Sequence, residues 1–458
     1  MAVIQGKAAQ PQKGAFGDGM RLYVWAIVIL VVAELIGAIS IKAGPGKIVL
    51  LPMVWALLLG AALGLSETRL PRFAQIDLSM QHKAAAILQP ALLLFVAKLG
   101  LLVGGSLPKL AAAGWALVFQ EFGHFVGTIL LGLPLALMLG IKREAVGATF
   151  SVGREPSLAI IGEKYGFESP EGRGVLAEYL TGTIFGAVFI ALFAGFVASL
   201  KLFDPLALAM GAGVGSGSMM AAAAGAIAAQ QTPEVAKDVA TFAAASNLIT
   251  TTIGTYFTLF ISLPLAVWGY RVMEPVLGRM SKRGRANAEA AAIADAEAAR
   301  NLEQASQAHA SHDLHVGQRL FAWVFSGALA LVGNTMAFKT PLLDGVPGML
   351  VIIGAVVVGE VVYFATARKV PAVCWVSLVA MGLTSPISPV APLVESLTGK
   401  INFLALVTPM LTYAGLSVAK DVPAFRRLGW RIVVVSFLAN AGTFLGAAII
   451  AQFFKHTI

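Results

Sequence analysis

Apolar runs long enough to cross a bilayer recur along almost the whole chain, and no other feature limits its folding as strongly. They lie at about 21–39, 47–65, 84–104, 111–139, 173–199, 239–269, 318–338, 345–364, 371–390, 400–419 and 429–452. A hydrocarbon core of ~30 Å takes roughly 17–25 apolar residues as helix. Charged residues make up 12% of the 458, about half the share usual in soluble domains. A large soluble helical core would need polar faces on its outer helices, and most of these runs have none. The expectation is an all-α polytopic membrane protein of about 11–13 transmembrane segments.

A net charge of +9 in a soluble protein would suggest nucleic acid. Here the Lys and Arg residues gather in short links and in 270–320, so membrane orientation explains them and no nucleic-acid partner is expected. Lys7, Lys13 and Arg21, Arg69 and Arg72, Lys142 and Arg143, Arg271 to Arg285, Arg368 and Lys369, and Lys420 to Arg427 all fall on one side if the N-terminus is cytoplasmic. Cys374 is the only cysteine, which excludes an intrachain disulfide and a multi-cysteine metal site. The first twenty residues lack the apolar core of a signal peptide, so the first span is expected to be retained.

The chain divides into a cytoplasmic tail (1–20), scaffold helices with a first repeat (21–145), a core (146–269), a cytoplasmic linker (270–317) and second-repeat helices (318–458). Within the linker, EAAAIADAEAARNLEQA suits a surface helix. His309, His312 and His315 lie there without a hydrophobic shell and are expected to be solvated rather than metal-bound. The repeat rests on an echo at an offset of 315: Gly100, Leu101, Val103, Pro108, Gly114 and Trp115 recur as Gly415, Leu416, Val418, Pro423, Gly429 and Trp430, and Gly127-Thr128 as Gly442-Thr443. Under the charge-derived topology the copies are inverted, a common construction of secondary transporters.

Two stretches break the apolar pattern. In ATFSVGREPSLAIIGEKYG, 148–166, Pro156 removes a backbone donor while Gly153 and Gly162 permit a turn. In GAGVGSGSMMAAAAGAIAA, 211–229, four alternating glycines weaken a continuous helix, and close packing through small residues is the competing reading. Breaks at depth survive only against protein or a watery cavity, and a half-helix start offers free N–H groups to an anion.

SVGREPSLA, 151–159, with EKYGF, 163–167, resembles the first core motif of bacterial sodium/glutamate symporters, with Ser151, Gly153 and Ala159 in place. GAGVGSGSM, 211–219, resembles their second, with all four glycines in position. Arg154 stands where that family has histidine and Pro156 where it has threonine, and only one span separates the motifs here instead of several. The histidine-to-arginine change removes any licence to assign glutamate. The resemblance implies a dimeric elevator transporter of the bacterial inner membrane in which two broken helices carry the substrate; a related class carries 2-hydroxycarboxylates. It places Ser151, Gly153, Arg154, Glu155 and Ser157, with Gly213, Gly215, Ser216, Gly217 and Ser218, at the substrate.

Other polar residues fall inside the apolar runs. Glu121 and His124, three apart, share a helix face as a proton-coupling pair, a structural hydrogen-bonded pair, or a pair nearer the interface. Glu178 either answers Arg154 or meets a helix dipole. Ser246, Asn247 and Thr251, with Thr250 and Thr252, either line a path for Na⁺ or bond back to their own helix. Asn334 and Glu360 are scaffold partners or gates, and TSPISPV, 384–390, marks another broken or ended helix. No nucleotide-binding P-loop and no catalytic arrangement is legible. The expected function is a secondary transporter, not an enzyme, moving a small organic anion by coupling to Na⁺ or H⁺, with no other cofactor; the alternative is a channel or facilitator for small anions.

Overall fold

The computed structural model describes residues 15–66, 71, 75–152, 157–158, 160–161, 164–166, 169–213, 215–252, 254–278, 314–366, 372–422 and 430–454. Gly153, Arg154, Glu155, Pro156, Pro423, Gly429 and most of the 270–317 linker lie outside them.

Helix α1 (Ala15–Ile36) leads into an antiparallel hairpin, β1 (Ile39–Ala43) with β2 (Gly46–Leu50), paired from Ile39 with Leu50 to Ala43 with Gly46. Gly44 takes the hairpin turn at φ +58°. The expected span at 47–65 is therefore corrected. β-Branched Ile48 and Val49 extend the strand, and α2 starts only at Pro52, whose missing N–H suits a first helical turn. At 14 residues α2 is shorter than a bilayer core.

Helix α3 (Leu78–Gly105) begins earlier than expected because Asp77 accepts the Met80 N–H at 2.8 Å. The run at 111–139 is two helices, α4 (Leu107–Ala113) and α5 (Trp115–Met138), divided at Gly114 with φ +45°. After α6 (Glu144–Thr149) come α7 (Pro170–Thr181), a π turn at Gly182–Gly186 and α8 (Ala187–Ser199). Next are α9 (Pro205–Ala212), α10 (Gly217–Ala228), α11 (Pro233–Thr252) and, past a second π turn at Thr258–Ser262, α12 (Leu263–Leu277). The remainder is α13 (Val316–Phe338), α14 (Leu342–Ala365), α15 (Ala372–Thr384), α16 (Ala391–Thr398), α17 (Phe403–Ser417) and α18 (Trp430–Phe453).

The chain is thus a polytopic, almost wholly α-helical membrane protein. Among the described residues seven helices are long and apolar enough to cross a membrane, fewer than the 11–13 segments expected. The shortfall has local causes: the hairpin shortens one run, and Ser385-Pro386 ends α15 at 13 residues.

Small residues set the main helix contacts. A Cβ on Gly123 would overlap the Gly446 carbonyl, one on Gly127 the Gly442 carbonyl, and the converse holds for both. One register rises as the other falls, so α5 and α18 are antiparallel. Gly60 and Gly415 bring α2 onto α17 in the same direction, and Gly100 and Gly104 bring α3 onto Ser377–Thr384 of α15 likewise. Such backbone contact substitutes for the hydrophobic drive that lipid cannot supply.

Candidate functional site

Two segments enter the bundle from its ends. Residues 139–169 leave α5 and reach α7 at one end of the bundle. There Arg143 pairs with Glu171 at 2.6 Å, Arg173 with Glu144 at 2.6 Å and Lys142 with Glu274 at 2.8 Å. The bond to Glu171 raises the Arg143 pKa further. From that end α6 runs inward for six residues, about 9 Å, until Thr149 lies against Gly132 and Val152 packs on Ala439 of α18.

The second segment enters from the opposite end. The Asp204 N–H donates to Gln452, at the far end of α18, over 2.7 Å. Helix α9 then lies antiparallel along α18, because Gly211 meets Phe444 and Ala448. Helix α10 returns parallel to α8, with Gly186 against Met219 and Gly195 against Ala226, and Gln230 donates to the Gly195 carbonyl at 2.8 Å. Helices of 8 and 12 residues reach about 12 and 18 Å, neither enough to span alone. Residues 204–229 are therefore a re-entrant hairpin whose tip is 213–216. Gly215 makes the turn at φ +77°, and Ser216 caps α10 through the Met219 N–H at 3.3 Å and bonds Ser218 at 2.9 Å. Continuing the α9 register along α18 sets this tip at the level of Asn440–Thr443, about one turn from where Val152 meets Ala439.

A broken helix leaves carbonyls without partners, which hydrocarbon does not tolerate. Residues 233–277 supply the missing donors. They run the length of α4 and α5, with Asp238 beside Lys109, Thr250 beside Glu121, Gly269 beside Leu133 and Glu274 beside Lys142. From this strut Ser262 donates to the Phe150 carbonyl. Ser246 donates to Met210 at 2.8 Å and Asn247 to Gly213 at 2.7 Å. Thr251 bonds back to Asn247 of its own helix at 2.8 Å. Asn247 and Thr251 also line a cavity of about 20 Å³ with Val96, Met220 and Ser377, room for about one water.

Of the residues expected at the substrate, Ser151 and Ser157 are buried, and the Ser157 hydroxyl has no hydrogen-bond partner among the described residues. Gly153, Arg154 and Glu155 lie outside the described residues, so the expected pairing of Glu178 with Arg154 does too. Glu178 itself is buried in α7, one turn before the first π turn. Glu121 and His124 are buried on one face of α5, with His124 Nε2 3.5 Å from Glu121 Oε1. Asn334 bridges Lys400 and Asn402, tying α13 to the start of α17, and Glu360 of α14 pairs with Arg319 of α13 at 2.5 Å.

Several polar residues escaped sequence reasoning. Ser436, Asn440 and Thr443 stand at i, i+4 and i+7 of α18, all buried, and among the described residues the Ser436 hydroxyl and Asn440 Oδ1 have no partner. That helical spacing within an apolar run was the readable signal. Lys98, a charge midway along another run, is buried and donates to the Thr398 carbonyl at 2.7 Å, at the negative end of α16.

A family model described as "Protein of unknown function (DUF3100)" matches residues 31–272, more than half of the chain and both re-entrant segments. No curated protein and no solved structure matches it.

Proposed function

We propose that this chain, which belongs to the DUF3100 family, is a secondary active transporter for a small organic anion, a carboxylate or an amino acid. One observation carries the reading: two segments enter from opposite ends, and their described residues Val152 and Gly213 lie within about one turn of each other along α18. A site closed from both sides at mid-depth is what alternating access requires. Unpartnered oxygens of Ser157, Ser436 and Asn440 supply polar groups in the elements that meet there. Arg154, between Ser151 and Ser157 in sequence, supplies the charge that selects an anion.

The antiparallel contact of Gly127 with Gly442, at the 315-residue offset of the echo, supports an inverted repeat. The pairing of α2 with α17 and of α3 with α15 has the same exchange of partners between halves. In this reading the two re-entrant segments move together as an elevator against a scaffold that dimerises. The chain sits in a bacterial inner membrane with its N-terminus in the cytoplasm, and Na⁺ or H⁺ drives it. The test is uptake of labelled dicarboxylates and amino acids into vesicles holding the purified protein, with Na⁺ and pH gradients imposed separately. Saturable, gradient-driven accumulation supports the reading; conductance that never saturates would mark a channel.

A further inference from the structure

We infer that Glu121 and His124 together form a proton-binding site, which makes H⁺ the ion coupled to transport. This deepens the transport reading and rests on it for the coupling, though not for the site. Glu121 is wholly buried within α5, and its Oε1 accepts from Gln120 at 2.7 Å and from Thr250 at 2.5 Å. Both donors are neutral. Its Oε2 is enclosed with no hydrogen-bond partner among the described residues, and so is Nε2 of His124, 3.5 Å from Oε1. The other ring nitrogen of His124 meets Thr443 Oγ1 of α18 at 3.4 Å.

Among the described residues, Thr250 of α11, Gly254 beyond it and Thr443 of α18 face the pair from neighbouring elements, and none of these three is ionisable. The one ion-pairing partner of Glu121 among the described residues is His124, and no Lys or Arg pairs with it. A carboxylate anion in that setting has two neutral donors and no countercharge, which is expensive in a bilayer. One added proton removes the cost wherever it resides. On Glu121 it makes a neutral acid, and on His124 it makes a neutral ion pair. A closed pair that holds one proton is thus electrically neutral, and releasing that proton calls for an incoming anion or an opening to water. No bond other than one O–H or N–H changes in the step.

The pair also touches the element that holds the second re-entrant hairpin. The hydroxyl of Thr250 that donates to Glu121 lies one turn from Ser246 and Asn247, whose side chains bind the Met210 and Gly213 carbonyls. Gaining or losing the proton changes what Thr250 sees, and α11 connects that change with the hairpin tip. Na⁺ fits this pocket less well, because one of the three polar groups that meet the pair is an amide N–H and the pair itself offers a ring nitrogen, where a hard cation takes oxygens.

The experiment has two arms on the full-length chain. In detergent, infrared spectra across pH should contain the C=O band of a protonated carboxyl that is missing from Glu121→Gln. In vesicles, the same variant should still exchange whichever labelled anion the wild type carries, yet fail to accumulate it under a pH gradient. Identical infrared titrations for the two proteins overturn the site. Undiminished pH-driven accumulation by Glu121→Gln overturns the coupling. If no anion moves in any protein, the transport reading and the coupling fall while the infrared arm still decides the site. Should Glu121→Gln not fold, His124→Gln and Thr250→Val retain the carboxyl and must shift the pH midpoint of its band; an unmoved midpoint overturns the site.

Discussion

Gly127 and Gly442, 315 residues apart, lie backbone to backbone where α5 crosses α18, and a Cβ on either would overlap the carbonyl oxygen of the other. They are also equivalent positions in the sequence echo, so this crossing is a residue meeting its own counterpart. Gly123 and Gly446 extend the contact by one turn. Several polar residues of the candidate site stand on this pair of helices. His124 projects from α5, while Asn440 and Thr443 stand on α18.

Gly127→Leu and Gly442→Leu should each destabilise the protein by about 1–3 kcal/mol or more, since the obstacle is backbone and cannot rotate away. The double variant should cost less than the sum, because both insertions open the same interface. Gly354→Ala is the control: its Cβ meets nothing within 4 Å, so the helix should gain up to about 1 kcal/mol. Thermal denaturation in a single detergent measures all four proteins.

The ends of the bundle make a topological prediction. Cysteines at Lys142 and Glu274 should cross-link to each other, as should cysteines at Lys109 and Asp238, in a Cys374→Ser background. An impermeant thiol reagent applied to sealed cells should reach the second pair alone, and both pairs after permeabilisation. Labelling of Lys142→Cys from outside would reverse the cytoplasmic assignment of the N-terminus.

The sequence is a good guide to these features where the bilayer acts locally. Long apolar runs identify membrane helices because lipid offers the backbone no partner, and Gly215 and the 148–166 stretch announce breaks because their local chemistry opposes a continuous helix. What stayed hidden is non-local. Neither the β hairpin at 39–50 nor the α4–α5 division follows from hydropathy, which treats strand, turn and helix alike. Ser262 draws no notice in the sequence, and Asn247 reads there as a candidate for an ion path; only the fold brings the carbonyls of Phe150 and Gly213 beside them. Ser436 and Asn440 were missed because only the register of α9 on α18 puts a re-entrant tip at their level.

Asn247→Ala should loosen the second hairpin without unfolding the bundle. It strips the Gly213 carbonyl of the donor now 2.7 Å away, and an unsatisfied buried carbonyl costs about 1–3 kcal/mol. Hydrogen exchange should quicken at residues 215–220, the first turn of α10, and stay unchanged along α3. Thr251→Ala removes a bond back to Asn247 and a contact with Cys374 of α15, neither of them made to the hairpin backbone, and should leave the hairpin's exchange as it is. Equal effects of the two variants would mean that α11 does not hold the tip.

Arg154→Ala should abolish uptake of an anionic substrate while the protein still inserts and elutes as a single species. The argument is electrostatic. The polar groups that the described residues bring near the two tips are hydroxyls, an amide and backbone, all neutral, so a carboxylate leaving water needs a full positive charge as well. Arg154→Lys keeps the charge and loses the planar fork, so it should retain part of the uptake with a weakened apparent affinity. Labelled-anion uptake into vesicles, normalised to inserted protein, separates the three proteins. Near-normal uptake by Arg154→Ala would remove Arg154 from substrate recognition and transfer that duty to another cation.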